Sequence, residues 1–347
     1  MNCSTKPFTK VETSWRSPSN IALVKYWGKL PGQIPMNASL SMTLRNCYTE
    51  TSVKVTEGNG LTFFIDEQVK TGFDNKVGKL ITTFKNLYLN GEDFHFNVKT
   101  TNSFPHSSGI ASSASSMSAL AICLMDLIGK THELNQVSSL ARLGSGSASR
   151  SVIPGYSLWG NYQGLGIEGS DQHAIDVNEI IHPSFKTLRN SILIVSADEK
   201  EVSSTEGHRL MKDHLFRDIR IDQAKNNLDC LLKALKTGEQ DPFISIVEQE
   251  ALSLHAMMMT SRPSYLLMKP NSLSIIEKIK KFRKETGLFL CFTLDAGPNI
   301  HLLYSESDSN IIEKFLNSEV AHLLVNNQII TDEIGLGPVK LDELSKL

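Results

Sequence analysis

The run Pro105-His106-Ser107-Ser108-Gly109-Ile110-Ala111-Ser112-Ser113-Ala114 carries a glycine- and serine-rich loop straight into a helical pattern. Ala111, Ala114, Leu120, Ala121, Leu124, Leu127 and Ile128 recur at about helical spacing, which predicts one helix over residues 110–129. The first N–H groups of such a helix lack carbonyl partners, and its dipole places about half a positive charge there, so an anion is stabilised at that end. Hydroxyls at Ser107, Ser108, Ser112 and Ser113 can turn toward phosphate oxygens or a metal ion, and Gly109 lets a bulky anion approach the backbone. The alternative is an ordinary capped helix, with Ser108 as the cap and the other serines solvated. Neither G-x-x-x-x-G-K-[ST] nor an H-R-D and D-F-G set is present.

At 347 residues, with 40% hydrophobic and 21% charged side chains, the chain can bury two cores or one large one and lacks the composition of a disordered protein. Its formal charge of −2 gives no general attraction to nucleic acid or to anionic membranes, so a polyanion has to be held by locally placed cations. Cys3, Cys47, Cys123, Cys230 and Cys291 are odd in number, far apart and free of any C-x-x-C pair. That argues against a disulfide framework or a zinc knuckle and for a reduced cytosol. The histidines form no H-E-x-x-H and no close cluster, so a metal ion is expected to arrive with a nucleotide. No signal-peptide core opens the chain, and the longest apolar stretch, 118–128, is too short for a bilayer and contains Asp126.

The first half alternates strand-like runs at 51–56, 61–65 and 94–99 with helical patterns at 76–89 and along the segment above. Near residue 190 the texture changes. Residues 191–196 read as a buried strand, followed by helical stretches at 204–215, 221–236, 242–258 and 272–285. Strands at 288–294 and 299–304 then flank a turn, and a last helix and strand close the chain. This places a boundary between an N-terminal part, 1–190, and a C-terminal part, 191–347.

Three further segments can carry chemistry. Residues 18–29 run as an apolar strand into Lys25, Tyr26, Trp27 and Lys29, where the lysines either snorkel to water or hold an anion. Gly144-Ser145-Gly146-Ser147-Ala148-Ser149-Arg150-Ser151 is either a flexible connector or a small-residue surround for Arg150, whose guanidinium can hold a carboxylate in two parallel hydrogen bonds. Thr293-Leu294-Asp295-Ala296-Gly297-Pro298-Asn299 is either a plain turn or a carboxylate placed to orient a hydroxyl as a phosphoryl group arrives. Two look-alikes are set aside. Gly164–Gly169 matches G-x-G-x-x-G without a surrounding βαβ unit and reads as a hairpin loop. Met257, Met258 and Met259 read as core packing, and His255 as a structural histidine.

The pattern Pro-x-x-x-Gly-Ile-x-Ser-Ser-Ala at 105–114 resembles the phosphate loop of the galactokinase, homoserine kinase, mevalonate kinase and phosphomevalonate kinase (GHMP) superfamily. Asn20-Ile21-Ala22-x-x-Lys25-Tyr26-Trp27-Gly28-Lys29, the Gly144–Ser151 string and Asp295-Ala296-Gly297-Pro298-Asn299 are similar, in the same order, to strings of the diphosphomevalonate decarboxylases, with weaker echoes at 34–41 and 203–207. The stretch between Lys29 and Pro35 is short, and His106-Ser107-Ser108 stands where the superfamily varies.

This resemblance implies an α+β, two-lobed GHMP-kinase-like fold, with a ribosomal-protein-S5-domain-2-like N-terminal lobe, a ferredoxin-like C-terminal lobe and the site in the cleft between them. It implies a carboxy-lyase of isoprenoid biosynthesis that decarboxylates mevalonate 5-diphosphate to isopentenyl diphosphate with ATP and Mg²⁺, as a cytoplasmic homodimer. Ser107, Ser108, Gly109, Ser112 and Ser113 then take the ATP phosphates, with Lys25 as a further anion contact. Asp295 orients or deprotonates the C3 hydroxyl, and Arg150 grips the substrate carboxylate. Asn20 and Ser147 fix neighbouring oxygens, while Tyr26 and Lys29 hold the diphosphate end. Two alternatives remain at this point: a related kinase or decarboxylase acting on mevalonate or its monophosphate, and a non-catalytic ligand sensor on the same fold.

Overall fold

The computed structural model describes residues 7–69, 74–105, 110–198 and 202–346. The first half comprises β1 (Glu12–Val24), β2 (Ser39–Glu57), β3 (Gly60–Ile65), β4 (Gln68–Val69), α1 (Asp74–Tyr88), β5 (Phe94–Asn102), α2 (Ser112–Leu127), α3 (Leu134–Gly144), α4 (Ala148–Ser151), β6 (Tyr156–Trp159), β7 (Gln163–Gly164), β8 (Ile167–Glu168) and β9 (Ile175–Asp176). β1 and β2 pair antiparallel from Glu12↔Lys54 to Val24↔Leu40, with register shifts between Pro18 and Asn20 and between Ala22 and Val24. From Thr49 onward β2 alternates, Val53 and Val55 inward against Lys54 and Thr56 outward, as a half-buried strand does. Its first residues, 39–44, are buried on both faces. α2 covers the inward face, and its small residues let it sink so far that Ala114, Met117 and every residue from Ser118 to Leu127 are buried.

The second half comprises β10 (Leu188–Leu193), α5 (Ser204–Leu210), α6 (Arg217–Thr237), α7 (Gln240–Met259), α8 (Pro270–Thr286), β11 (Leu290–Thr293), β12 (Ile300–Ser305), α9 (Ser309–Phe315), β13 (Ile329–Glu333) and β14 (Val339–Lys340). Its antiparallel sheet has the order β11-β12-β10-β13, whereas β14 crosses back to pair with β1 at the edge of the first sheet. One apolar cluster joins Ile21, Leu23 and Leu40 to Leu188, Ile192, Leu231 and Phe243. The two sheets therefore share a core, and the ends of β1 and β11 sit against the same interior. No helix among the described residues is long and apolar enough to cross a membrane.

The structure differs locally from several expected elements: the strand expected over 191–196 runs over Leu188–Leu193. α2 begins two residues later than the periodicity predicts, because Ala111 adopts a left-handed backbone (φ 47°) and the Ile110 carbonyl accepts the Ser19 hydroxyl at 2.5 Å. The glycine- and serine-rich string at 144–151 is the end of α3 and the turn of α4, not a flexible connector. The helix expected over 204–215 stops at Leu210. Residues 163–168 form a two-residue β7–β8 hairpin, with Leu165 and Gly166 both at positive φ (54° and 79°), the primed turn that such a hairpin requires.

Candidate active site

Lys25 is the first residue beyond β1 and is 1% exposed, so the apolar strand carries its ammonium into the interior. Its Nζ donates to Asp295 Oδ1 at 2.9 Å and to the Ala22 carbonyl at 2.7 Å. Its backbone is pinned as well: the N–H donates to Glu250 Oε2 at 2.8 Å, and the carbonyl accepts from Asn37 at 3.0 Å. Glu250, on α7, also takes both terminal nitrogens of Arg220 (3.1 and 2.5 Å) and the amide of Asn227 (2.7 Å). Burial favours the neutral form of Asp295, but the charge and hydrogen bond of Lys25, with smaller help from His301 and Arg150, outweigh it and hold the carboxyl below its usual range. Burial depresses Lys25, with Asp295 and Glu250 opposing.

Asp295 follows β11 at a turn that the rest of its string fixes. Gly297 N–H donates to the Asp295 carbonyl at 2.7 Å, and His255 Nε2 donates to the same oxygen at 3.1 Å. Asn299 accepts from the N–H groups of Val195 and Ser196 at 2.7 and 3.0 Å, tying the turn to the end of β10. The turn reading and the chemical reading of Asp295 are thus both satisfied, by different residues of one string.

Arg150, on α4 and 3% exposed, donates through Nε to Asn20 Oδ1 at 3.3 Å and through Nη1 to Ser39 Oγ at 2.8 Å. Asn20 is itself held, donating to the Ser147 carbonyl (3.1 Å) and Ser151 Oγ (2.8 Å). A guanidinium has five N–H donors, so those left over border the cavity. Burial pushes Arg150 down to about 10, which leaves it cationic at neutral pH. The buried Tyr26 hydroxyl has no hydrogen-bond partner among the described residues. A Cβ at Gly146 would stand 2.6 Å from it, so only glycine admits the ring there.

Asn20, Lys25, Tyr26, Lys29, Ser113, Ser147, Arg150 and Asp295 line one cavity of about 310 Å³. Lys29 Nζ donates to Gln33 at 2.9 Å and is depressed by burial, then by Lys76. Ser113 Oγ lies 3.3 Å from Ser145 Oγ, and the first turn of α2 has no side-chain cap, though the Ala114 N–H donates to the Ala111 carbonyl at 2.7 Å. Ser112 instead lines a neighbouring cavity of about 110 Å³ with Phe63, Val77 and Val98. Ser107, Ser108 and Gly109 lie outside the described residues. The Lys25 ammonium is engaged by Asp295, and Lys29, Lys76 and Lys79 line the same cavity.

Family comparisons cover both halves of the chain. A Diphosphomevalonate decarboxylase-like N-terminal domain matches residues 17–173, and a Mevalonate 5-diphosphate decarboxylase C-terminal domain matches residues 191–337. A diphosphomevalonate decarboxylase of Gibberella zeae is 30% identical over 324 residues, which cover 88% of this chain and 84% of that protein. The chain belongs to the diphosphomevalonate decarboxylase family. The crystal structure of the mevalonate diphosphate decarboxylase from Staphylococcus aureus superposes with a TM-score of 0.84 at 27% identity, covering 95% of this chain and 98% of that one. A complex of MDDEF with MVAPP, AMPPCP and magnesium superposes with a TM-score of 0.82 at 26% identity, covering 95% and 99%. The two-lobed α+β architecture expected from the sequence is the one these decarboxylases have.

Several residues in and behind this family member's cavity carry no sequence signal. Glu250 and Arg220 sit on amphipathic helices, where a buried charge reads like a solvated one. Lys76 and Lys79 look like ordinary surface residues of α1, and Ser39 like a strand hydroxyl. Only their convergence in space gives them a role.

Proposed function

We propose that the protein catalyses the ATP-dependent decarboxylation of mevalonate 5-diphosphate to isopentenyl diphosphate, releasing ADP, phosphate and carbon dioxide. The observation that carries this is an ionised Asp295 and a buried Arg150 with spare donors on the walls of one cavity. A phosphoryl acceptor hydroxyl needs the first, and a substrate carboxylate held through bond cleavage suits the second. Asp295 orients the C3 hydroxyl and takes its proton as the oxygen attacks the γ-phosphorus and ADP departs. The C3–O bond then breaks toward phosphate. The electrons of the bond between C2 and the carboxylate form the C2–C3 double bond, and carbon dioxide leaves.

Asn20 acts through Arg150, since its side chain is engaged within the protein, and Ser147 lies beside it. Tyr26, Lys29, Lys76 and Lys79 take the anionic ends, with Ser113 and the first turn of α2 on the nucleotide phosphates. Among the described residues no group of three or more His, Cys, Asp or Glu side chains could hold a metal ion, and Mg²⁺ would enter with ATP. The hydroxyl of Ser113 and the carboxylate of Asp295 are the side-chain oxygens that would hold it, and the ion would supply neutralisation of phosphate charge. The same reading includes division of the chain into lobes at 1–190 and 191–347, a cytoplasmic setting and a homodimer. The division is supported by the two domain matches, 17–173 and 191–337.

The test offers mevalonate, its 5-phosphate and its 5-diphosphate with ATP and Mg²⁺ while ADP and carbon dioxide are followed. Equimolar ADP and carbon dioxide from the diphosphate are expected. ADP without carbon dioxide, preference for a less phosphorylated substrate, or no turnover would overturn the reading. Arg150→Ala is expected to lower kcat about a hundredfold, the worth of one positioned donor group in the transition state, with a smaller change in KM in steady-state assays.

A further inference from the structure

His208, on α5, borders the same cavity and is 9% exposed. Its Nδ1 accepts the Gly28 N–H at 2.9 Å. A ring nitrogen that accepts carries no proton, so the neutral imidazole has its hydrogen on Nε2. Burial first, then the charges of Lys29 and Arg150, push the imidazole down to about 3, so it stays neutral. The ring is held by Tyr26 and Trp27, at centroid distances of 4.4 and 4.7 Å. Its helix is held close as well: a Cβ at Gly207 would lie 2.5 Å from Trp27 and 2.7 Å from the Tyr265 hydroxyl. Nε2 has no hydrogen-bond partner among the described residues.

A fixed donor without a partner among the described residues, on a wall lined with cations, points to an anionic ligand. We propose that His208 is a substrate-binding residue whose neutral Nε2–H donates to a diphosphate oxygen of mevalonate 5-diphosphate, beside Tyr26 and Lys29. This deepens the reaction proposed above and rests on it. A neutral donor has a physical use at this place. Lys29 and Lys76 already repel one another across the cavity, and an imidazole adds a hydrogen bond to the anion without adding to that repulsion.

Two substitutions separate the ends of the ring. His208→Asn keeps an acceptor near Nδ1 for the Gly28 N–H and removes the far donor. His208→Gln carries an amide donor out to about the Nε2 position. Binding of inorganic pyrophosphate and of mevalonate 5-diphosphate is measured by calorimetry, beside steady-state kinetics. His208→Asn is expected to weaken both ligands about tenfold, as loss of one hydrogen bond to a charged group does, with the loss in KM exceeding that in kcat. His208→Gln is expected to recover most of that affinity. Equal losses in the two variants, wild-type affinity in His208→Asn, or a wild-type protein that binds no pyrophosphate would overturn the proposal.

Should His208→Asn not fold, wild-type protein labelled with ¹⁵N in histidine is titrated with pyrophosphate. The Nε2 resonance is expected to move while Nδ1 stays unprotonated. An unmoved Nε2 resonance, or a proton on Nδ1, counts against the assignment. A wild type that binds pyrophosphate but releases no carbon dioxide would remove the proposed reaction and leave the pyrophosphate comparison standing.

Discussion

Asp295→Asn is expected to abolish turnover, lowering kcat by about four orders of magnitude, while mevalonate 5-diphosphate still binds with near wild-type affinity. The substitution keeps the size of the side chain, and its amide oxygen can still accept from Lys25. What it removes is the charge. A carboxylate held ionised by a buried ammonium can take a proton as the C3 oxygen attacks; an amide cannot. The variant also takes the paired carboxylate from the buried Lys25 ammonium, leaving Glu250 as the opposing charge, so burial shifts the lysine further toward the neutral amine. The Asp295 side chain is 25% exposed, against 2% for Lys25, so the carboxylate faces the cavity while the lysine stands behind it. Single-turnover measurement of ADP and carbon dioxide, paired with calorimetric titration of the substrate, separates chemistry from binding. Activity within tenfold of wild type would remove Asp295 from the mechanism.

The same pair shows what the sequence makes legible. Lys25 and Asp295 each end an apolar strand, and each belongs to a short string of distinctive residues, so both stand out in the order of amino acids alone. Their 2.9 Å contact spans 270 positions, and no local pattern encodes it. Arg150 is legible for a similar reason, as a lone cation among small residues. Its surroundings mislead, because glycine and serine suggest a connector, whereas here they let α4 and Tyr26 pack closely. The helical period of α2 is legible except at its start, where the left-handed turn at Ala111 breaks the expected entry. The least legible part is the polar interior behind the site. Glu250 stands in Val247-Glu248-Gln249-Glu250-Ala251, where periodicity cannot tell an inward carboxylate from an outward one. Its role depends on Arg220 from another helix and on the backbone of Lys25 from another sheet.

That interior gives the second large expectation. Glu250→Ala is expected to destabilise the protein by about 3–5 kcal/mol, because breaking a buried ion pair leaves a charge in the interior without compensation. Glu250 is fully buried and accepts four hydrogen bonds, from Lys25 N–H, two nitrogens of Arg220 and Asn227. Removing it strands a guanidinium that is 2% exposed and frees the backbone at the point that aims Lys25 at Asp295. Thermal unfolding followed by calorimetry is expected to show a midpoint lowered by roughly 10 °C. The double variant Glu250→Ala, Arg220→Met removes the stranded charge and is expected to regain much of the stability, since an apolar replacement of a buried pair is often tolerated. It does not restore the acceptor for Lys25 N–H, so kcat is expected to stay low after the midpoint has recovered. Stability and activity regained together would mean that Glu250 only neutralises Arg220. A midpoint that recovers while kcat does not would place this carboxylate behind the lysine as the group that keeps it in line with Asp295.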